Sequence, residues 1–156
     1  MNDTAAPKPP TTPALVTKTS ISAQAALNIA QVGVQAGRER NSDVAIAIVD
    51  QAGLLLVLLR TDGATEQFVE GAIQKAWTAL NLRTSTRDAF TTIQEGHQDN
   101  SQLPFIPKSL FLMGGVPLTA GSAVVGAVGA AGCVDGLDDD AVAQAVATAF
   151  QRLANG

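Results

Sequence analysis

Two adjacent segments, residues 44–50 and 54–60, are apolar at almost every position, and this pattern restricts the fold more than any other feature of the chain. Their length and their content of valine, isoleucine and leucine predict two strands, and residues 51–53 are typical of a short hairpin loop. An antiparallel pair with one face in water would alternate apolar with polar residues. Both faces of this hairpin must therefore be covered, by helices or by another subunit.

Helical patterns lie on either side of the hairpin. Ser20 or Ser22 can cap a first helix that runs to about Arg40, with its apolar residues on one face. A second helix is predicted over residues 65–82. Residues 85–88 have the form of a capping box, which predicts the start of a third, short helix.

A glycine-rich apolar region in the second half of the chain supplies the remaining strands. Strand pieces are predicted at residues 110–113 and 116–118, separated by Gly114 and Gly115, and a long strand is predicted at 123–131. Hairpin-connected strands with helices between them indicate an α+β fold with a mostly antiparallel sheet of about five strands.

The ends of the chain differ in character. Residues 1–19 are rich in proline and threonine and lack the basic start and apolar core of a signal peptide, which predicts a disordered tail before a single domain at 20–156. The acidic run 138–140 is predicted to open a last helix. A net charge of −4 argues against nucleic acid or an anionic membrane as partner. We expect a cytoplasmic protein, with export as the alternative where a signal peptide has been removed.

The glycines of this second half suggest close packing more than nucleotide binding. Gly126, Gly129 and Gly132 lack the spacing of a dinucleotide-binding fingerprint, and no phosphate-binding loop is present. We expect Gly126 and Gly129 to let a helix sit close on the last strand. Gly114 and Gly115 break a strand, which could leave backbone N–H groups free for an anion.

Few side chains in this sequence suit chemistry. The guanidinium of Arg60 could anchor a carboxylate, or it could pair with Asp62 at the surface. Lys75 is interpreted either as a ligand-binding group or as a solvated lysine on the second helix. The lone histidine, His97, is the only imidazole available as a metal ligand or general base. Met113 and Cys133 are interpreted as apolar packing residues, with a thioether ligand as the alternative for Met113.

One function hypothesis needs no cofactor. It is an enzyme or binding protein for a small hydroxy or keto acid, in which cationic and amide groups hold the carboxylate and a second group carries a proton. The carboxylate-binding groups would be Arg60, Lys75 and the Gly114 and Gly115 amides, and the proton carrier His97 or Asp50.

The motifs taken together resemble the GlcG/HbpS family, also called DUF336 or the haem-degrading domain, from about Thr17 onward. The segments that carry the resemblance are Val49-Asp50-x-x-Gly53, Arg60-x-Asp62-Gly63-Ala64, Lys75-Ala76, Gly114-Gly115-Val116-Pro117 and Gly126-Ala127-Val128-Gly129. The resemblance implies a profilin-like fold, similar also to the C-terminal domain of PduO-type proteins. It further implies a homo-oligomer, from dimer to octamer.

The resemblance also implies that the protein binds haem or a related tetrapyrrole, with an accessory role in haem handling. Some members of the family are thought to ligate iron through a histidine in or near the first helix, where this chain has no histidine but polar residues such as Asn28, Gln24 and Gln31. His97 is then the candidate axial ligand, with Arg60 or Lys75 at a propionate. The binding of a small organic acid stays the alternative.

Overall fold

A four-stranded antiparallel sheet with helices on both faces forms the centre of the protein. The structure is a computed structural model that describes residues 12–96 and 102–156. Its elements are α1 (Ala23–Glu39), β1 (Ala45–Asp50), β2 (Leu55–Arg60), α2 (Glu66–Leu82), α3 (Thr86–Gln94), a 3₁₀ turn (Leu103–Phe105), β3 (Gly115–Ala120), β4 (Ala123–Ala131) and α4 (Gly136–Asn155).

The strands follow the order β2-β1-β4-β3, and each neighbouring pair is antiparallel. Ala47 on β1 lies opposite Leu58 on β2 and Gly129 on β4, and Gly129 in turn lies opposite Gly115 on β3. The starts of β1 and β3 and the ends of β2 and β4 therefore lie at the same end of the sheet. Lys75 of α2 and the start of α4 are at this end.

Side chains of β1 alternate between two helical layers. Ile46 and Ile48 belong to the core formed with α1 and α4, whereas Ala45 and Ala47 pack with Ala72 of α2 on the opposite face. All of them are fully buried. The prediction that both faces of the hairpin are covered is confirmed for β1, where helices of the same chain provide the cover, whereas β2 is only partly buried.

Gly129 allows α2 to pack directly on β4. A Cβ placed on this glycine would overlap the carbonyl of Ala72 and would lie 2.7 Å from the backbone nitrogen of Ala76. Any larger residue would push the helix away from the sheet. This confirms the expectation of close helix packing for Gly129. At Gly126 the close neighbours are the Val49 carbonyl of β1 and the Ile21 side chain, so no helix sits on that glycine.

Several sequence predictions hold at the level of single elements. The capping of α3 is confirmed, because the Ser85 hydroxyl accepts a hydrogen bond from the Asp88 backbone N–H at 3.0 Å. Of the two candidate caps for α1, Ser22 takes the role. The long strand at 123–131 is confirmed in full. No helix within the described residues is long and apolar enough to cross a membrane.

Two predictions about the sheet were wrong. The described sheet has four strands, not about five, and residues 110–113 do not form a strand. The Leu110 N–H donates instead to the Thr78 hydroxyl of α2 at 2.9 Å. The backbone then turns at Gly114, whose φ of 118° lies in the region that favours glycine, before β3 begins.

The predicted disordered tail lies partly outside the described residues. Residues 12–19 form neither helix nor strand and are exposed. Ile21, just before α1, is the first residue held to the sheet by its backbone, since its N–H donates to the Val125 carbonyl at 2.9 Å.

Candidate functional site

Lys75 of α2 is almost completely buried at this end of the sheet, next to the last residues of β4. Only 3% of the residue is exposed, although the sequence also allowed a solvated lysine. Because α2 packs directly on Gly129, the lysine side chain passes across the end of β4. Its Nζ donates to the Ala130 carbonyl at 2.9 Å and to Asp139 Oδ2 at 2.8 Å. The solvated interpretation is therefore wrong.

Asp139, in the first turns of α4, balances this buried charge. Its second oxygen, Oδ1, accepts a hydrogen bond from the Cys133 backbone N–H at 2.9 Å. Both carboxylate oxygens thus have partners, which a buried ion pair requires if it is to offset its desolvation. The pair ties α2 to α4 across the end of the sheet.

The role of Asp139 was not predicted from the sequence, because residues 138–140 were interpreted together as the start of a helix. The helix begins two residues earlier, at Gly136, and Asp135 is the cap, since its Oδ1 accepts from the Leu137 N–H at 2.8 Å. The signal was present in the sequence: an aspartate three residues before Asp138 is a good cap, which places Asp139 inside the helix.

Gly114 and Gly115 leave the room that Lys75 occupies. A Cβ on Gly114 would lie 3.2 Å from Lys75 Nζ and 2.5 Å from the Ala130 oxygen. The Gly115 N–H donates to the buried Thr86 hydroxyl at 2.8 Å. This amide is therefore already hydrogen-bonded, contrary to the expectation that both glycine amides are free for an anion.

A cleft of about 780 Å³ opens beside the ion pair, between α2, the segment before β3 and the start of α4. Lys75 and Asp139 line its inner end, and Cys133 lies beside them. Its walls are mainly apolar. The large apolar side chains among the lining residues are Phe68, Phe90, Leu110, Leu112, Met113 and Leu137.

The Cys133 thiol faces this cleft in its protonated form. Burial raises its pKa from 9.0 to about 11; a hydrogen bond with Ser42 opposes the shift, and the charge of Asp139 adds to it. A thiol with this pKa carries very little thiolate at neutral pH, and the thiolate is the nucleophile and metal ligand. The structure thus agrees with the interpretation of Cys133 as a packing residue.

Arg60 and Asp62 lie elsewhere. They line a smaller cleft of about 300 Å³ together with Arg38 and Asp43. Arg60 Nη1 donates to backbone carbonyls of its own loop, including that of Asp62 at 3.3 Å. The structure therefore does not bring Arg60 together with Lys75, and their roles in ligand binding remain predictions.

Of the two predicted proton carriers, Asp50 does not line the larger cleft. Asp50 Oδ1 accepts from the backbone N–H groups of Ala52 and Leu54, both at 2.9 Å, and so holds the β1–β2 turn at the far end of β1. His97 lies outside the described residues. Among those described, no group of three histidine, cysteine, aspartate or glutamate side chains could hold a metal ion.

Comparison with known proteins gives the same answer in sequence and in structure. A family model described as "Haem degrading protein HbpS-like" matches residues 21–148. GlcG of Escherichia coli K12 is 31% identical over 113 residues, which are 72% of this chain and 82% of that protein. A double mutant of Streptomyces reticuli HbpS superimposes with a TM-score of 0.81 at 35% identity, covering 92% of this chain and 96% of the other.

A more distant structure shares the fold. The PduOC:heme complex has a TM-score of 0.74 at 23% identity and covers 84% of this chain and 95% of the other. The family model spans residues 21–148, which include α2, the lining of the cleft and the glycines of β4, and the GlcG match covers 72% of the chain. The chain therefore belongs to the GlcG/HbpS family.

Proposed function

We propose that the cleft of about 780 Å³ binds haem or a related tetrapyrrole, and that the protein has an accessory role in haem handling. The family description, haem degrading, motivates the ligand class. The cleft itself carries the proposal: its volume lies within the roughly 300–1,000 Å³ of typical ligand pockets, and its walls are largely apolar. An apolar, planar macrocycle suits such walls.

The residues that line the cleft suit the apolar macrocycle of haem, but they offer little to its propionate groups. Phe68, Leu110 and Leu112 offer apolar surface, whereas the cation of the described lining, Lys75, is already paired with Asp139. We therefore expect the haem propionates to lie in solvent. Bound haem would supply an iron centre for ligand binding or electron transfer.

The same charges weigh against a small organic acid in this cleft. Among the residues that the structure describes, the lining holds the carboxylates of Glu70, Asp135 and Asp139 against one cation, Lys75. A bound carboxylate would meet a net negative surface, which raises the free energy of the complex. Haem, most of whose surface is uncharged, is the better match.

Gly71 offers a way to test the cleft without unfolding the protein. This glycine lines the cleft from α2, and a Cβ on it would make ordinary contacts, 3.6 Å from Ala131 Cβ and 3.9 Å from Leu110 Cδ2. Alanine at this helix position is accommodated and favours the helix by about 1 kcal/mol. Gly71→Leu would place a larger side chain in the cleft.

The assay is titration with haemin, followed by the Soret band. We expect wild type and Gly71→Ala to bind with similar affinity and Gly71→Leu to bind at least about tenfold more weakly, with circular dichroism showing all three folded. Equal affinity of Gly71→Leu and Gly71→Ala would move the site away from this cleft. If the Soret band of haemin does not change in any of them, the proposed function is wrong.

We also propose that the protein forms a homo-oligomer in the cytoplasm, as the family resemblance implies. The exposed apolar residues at the free edge of the sheet support self-association: Leu54 is 67% exposed and Leu55, the first residue of β2, is 46% exposed. Edge strands with such surface pair readily with another chain. Native mass spectrometry measures the subunit number directly, and a monomer at micromolar concentration would contradict the proposal.

A further inference from the structure

We infer that Met113 is an iron ligand of the haem in this cleft, through its thioether sulfur. The inference rests on the proposed haem site and deepens it by naming a ligand. Met113 precedes Gly114 in the segment before β3, is partly buried and lines the cleft. Its side chain lies against the start of α4: a Cβ on Gly136 would be 3.7 Å from Met113 Cβ and 4.0 Å from Sδ.

The lysine and the two aspartates that line the cleft with Met113 already have hydrogen-bond partners. Lys75 Nζ donates to Asp139 and to a backbone carbonyl, and the residue is 3% exposed. Asp139 accepts from Lys75 and from the Cys133 N–H. Asp135 caps α4 through Oδ1. Recruiting any of these groups to iron would break a hydrogen bond that holds α2, β4 or α4 in place.

The two sulfur atoms among the described lining residues, those of Met113 and Cys133, differ in how readily they could bind iron. Cys133 would have to lose a proton before it could bind as thiolate, and its burial opposes that loss. The Met113 thioether is neutral, needs no deprotonation, and is an established type of haem ligand in proteins. Glu70, the remaining carboxylate of the described lining, is exposed on α2 and is a hard oxygen donor. Among the described residues of the cleft, Met113 is therefore the soft ligand that could bind iron with the smallest cost in free energy.

Met113→Leu tests the ligand without removing the wall. The exchange conserves volume and apolar character, and such changes usually destabilise by less than about 1.5 kcal/mol. Leu112→Met is a matched control for the added or lost sulfur, since Leu112 lines the same cleft and is exposed. His97→Ala shows separately whether the histidine predicted from sequence contributes an axial ligand.

The readouts are the absorption and magnetic circular dichroism spectra of haem-loaded protein, and its reduction potential. We expect wild type and Leu112→Met to show the near-infrared charge-transfer band of iron–thioether ligation, and Met113→Leu to lose it while keeping a Soret band. The potential of Met113→Leu should fall, because methionine ligation raises the potential of haem.

The outcomes separate this inference from the proposed function. If haemin binds wild type and Met113→Leu with the same spectra and the same potential, Met113 is not a ligand and the haem site stands. Loss of the thioether band in Met113→Leu supports both. Absence of haemin binding to wild type overturns both. A change confined to His97→Ala would assign the iron to the histidine alone and overturn the role of Met113.

Discussion

Removing one partner of the Lys75–Asp139 ion pair should destabilise this protein more than most other changes to its polar side chains. Its atoms lie 2.8 Å apart, and the two residues are 3% and 6% exposed. At an effective dielectric constant of about 20, two unit charges at this distance attract by about 6 kcal/mol, and desolvation offsets much of that gain. Removing one partner leaves the other charge buried, which typically destabilises a protein by about 3–5 kcal/mol.

The perturbations are Lys75→Met and Asp139→Asn, singly and together. Asparagine keeps one oxygen that can accept from the Cys133 N–H, so Asp139→Asn removes the charge and the acceptor of Lys75 but retains the hydrogen bond to the backbone. With a urea m-value of about 2 kcal/mol/M, each single change should lower the unfolding midpoint by about 1.5–2.5 M. The double variant buries no charge at this site and should be more stable than either single variant.

A neighbouring pair provides the control. Asp138 pairs with Arg40 at 3.4 Å, but their side chains are 53% and 31% exposed. Exposed pairs of this kind contribute about 0–1 kcal/mol, so Asp138→Asn should shift the midpoint by less than about 0.5 M. Two results would refute the reasoning: equal shifts for Asp138→Asn and Asp139→Asn, or a double variant whose loss equals the sum of the two single losses.

Two further predictions concern packing and the thiol. Gly129→Ala should lower the free energy of unfolding, measured in urea, by about 1–3 kcal/mol, because the added Cβ would overlap the backbone of α2. Gly71→Ala, which changes α2 itself, should not destabilise the protein. Equal stability of the two variants would contradict the packing described. Alkylation of Cys133 by iodoacetamide should be about 100-fold slower at pH 8 than for a thiol of pKa 9.0, and should rise toward pH 11. Since the folded state keeps the Cys133 proton to a higher pH than the unfolded state, the free energy of unfolding should fall as the pH rises from about 9 to 11. A labelling rate with its midpoint near pH 9 would contradict the raised pKa of this thiol.

The fold could be predicted from sequence where the signal is local. Continuous apolar runs and glycine placement identified β1, β2 and β4, and capping sequences identified α1 and α3. The error at residues 110–113 has a tertiary cause: these residues have the composition of a strand, but the hydrogen bond from Leu110 to Thr78 commits the segment to α2. Such a bond spans 32 residues and leaves no pattern in the sequence.

The site was less accessible to sequence reasoning. Lys75 could be singled out as a residue type, but its partner Asp139 lies 64 residues away and looked like one of three equivalent aspartates at a helix start. Arg60 and Lys75 seemed to form one anion site because both are cationic. The sheet register instead places Arg60 on the edge strand β2, while Lys75 reaches across β4.

The close approach of α2 to Gly129 links the packing of the sheet to the cleft. Because the helix backbone lies directly on the strand, the Lys75 side chain can reach only the end of β4, where it is buried and requires Asp139. The ion pair fixes the start of α4, and with it the position of Gly136 against Met113. The geometry of the cleft therefore depends on a glycine that never faces a ligand. We therefore expect the ion pair to position the proposed haem site without binding haem, so that Asp139→Asn weakens haemin binding while Asp138→Asn, one residue away, leaves it unchanged.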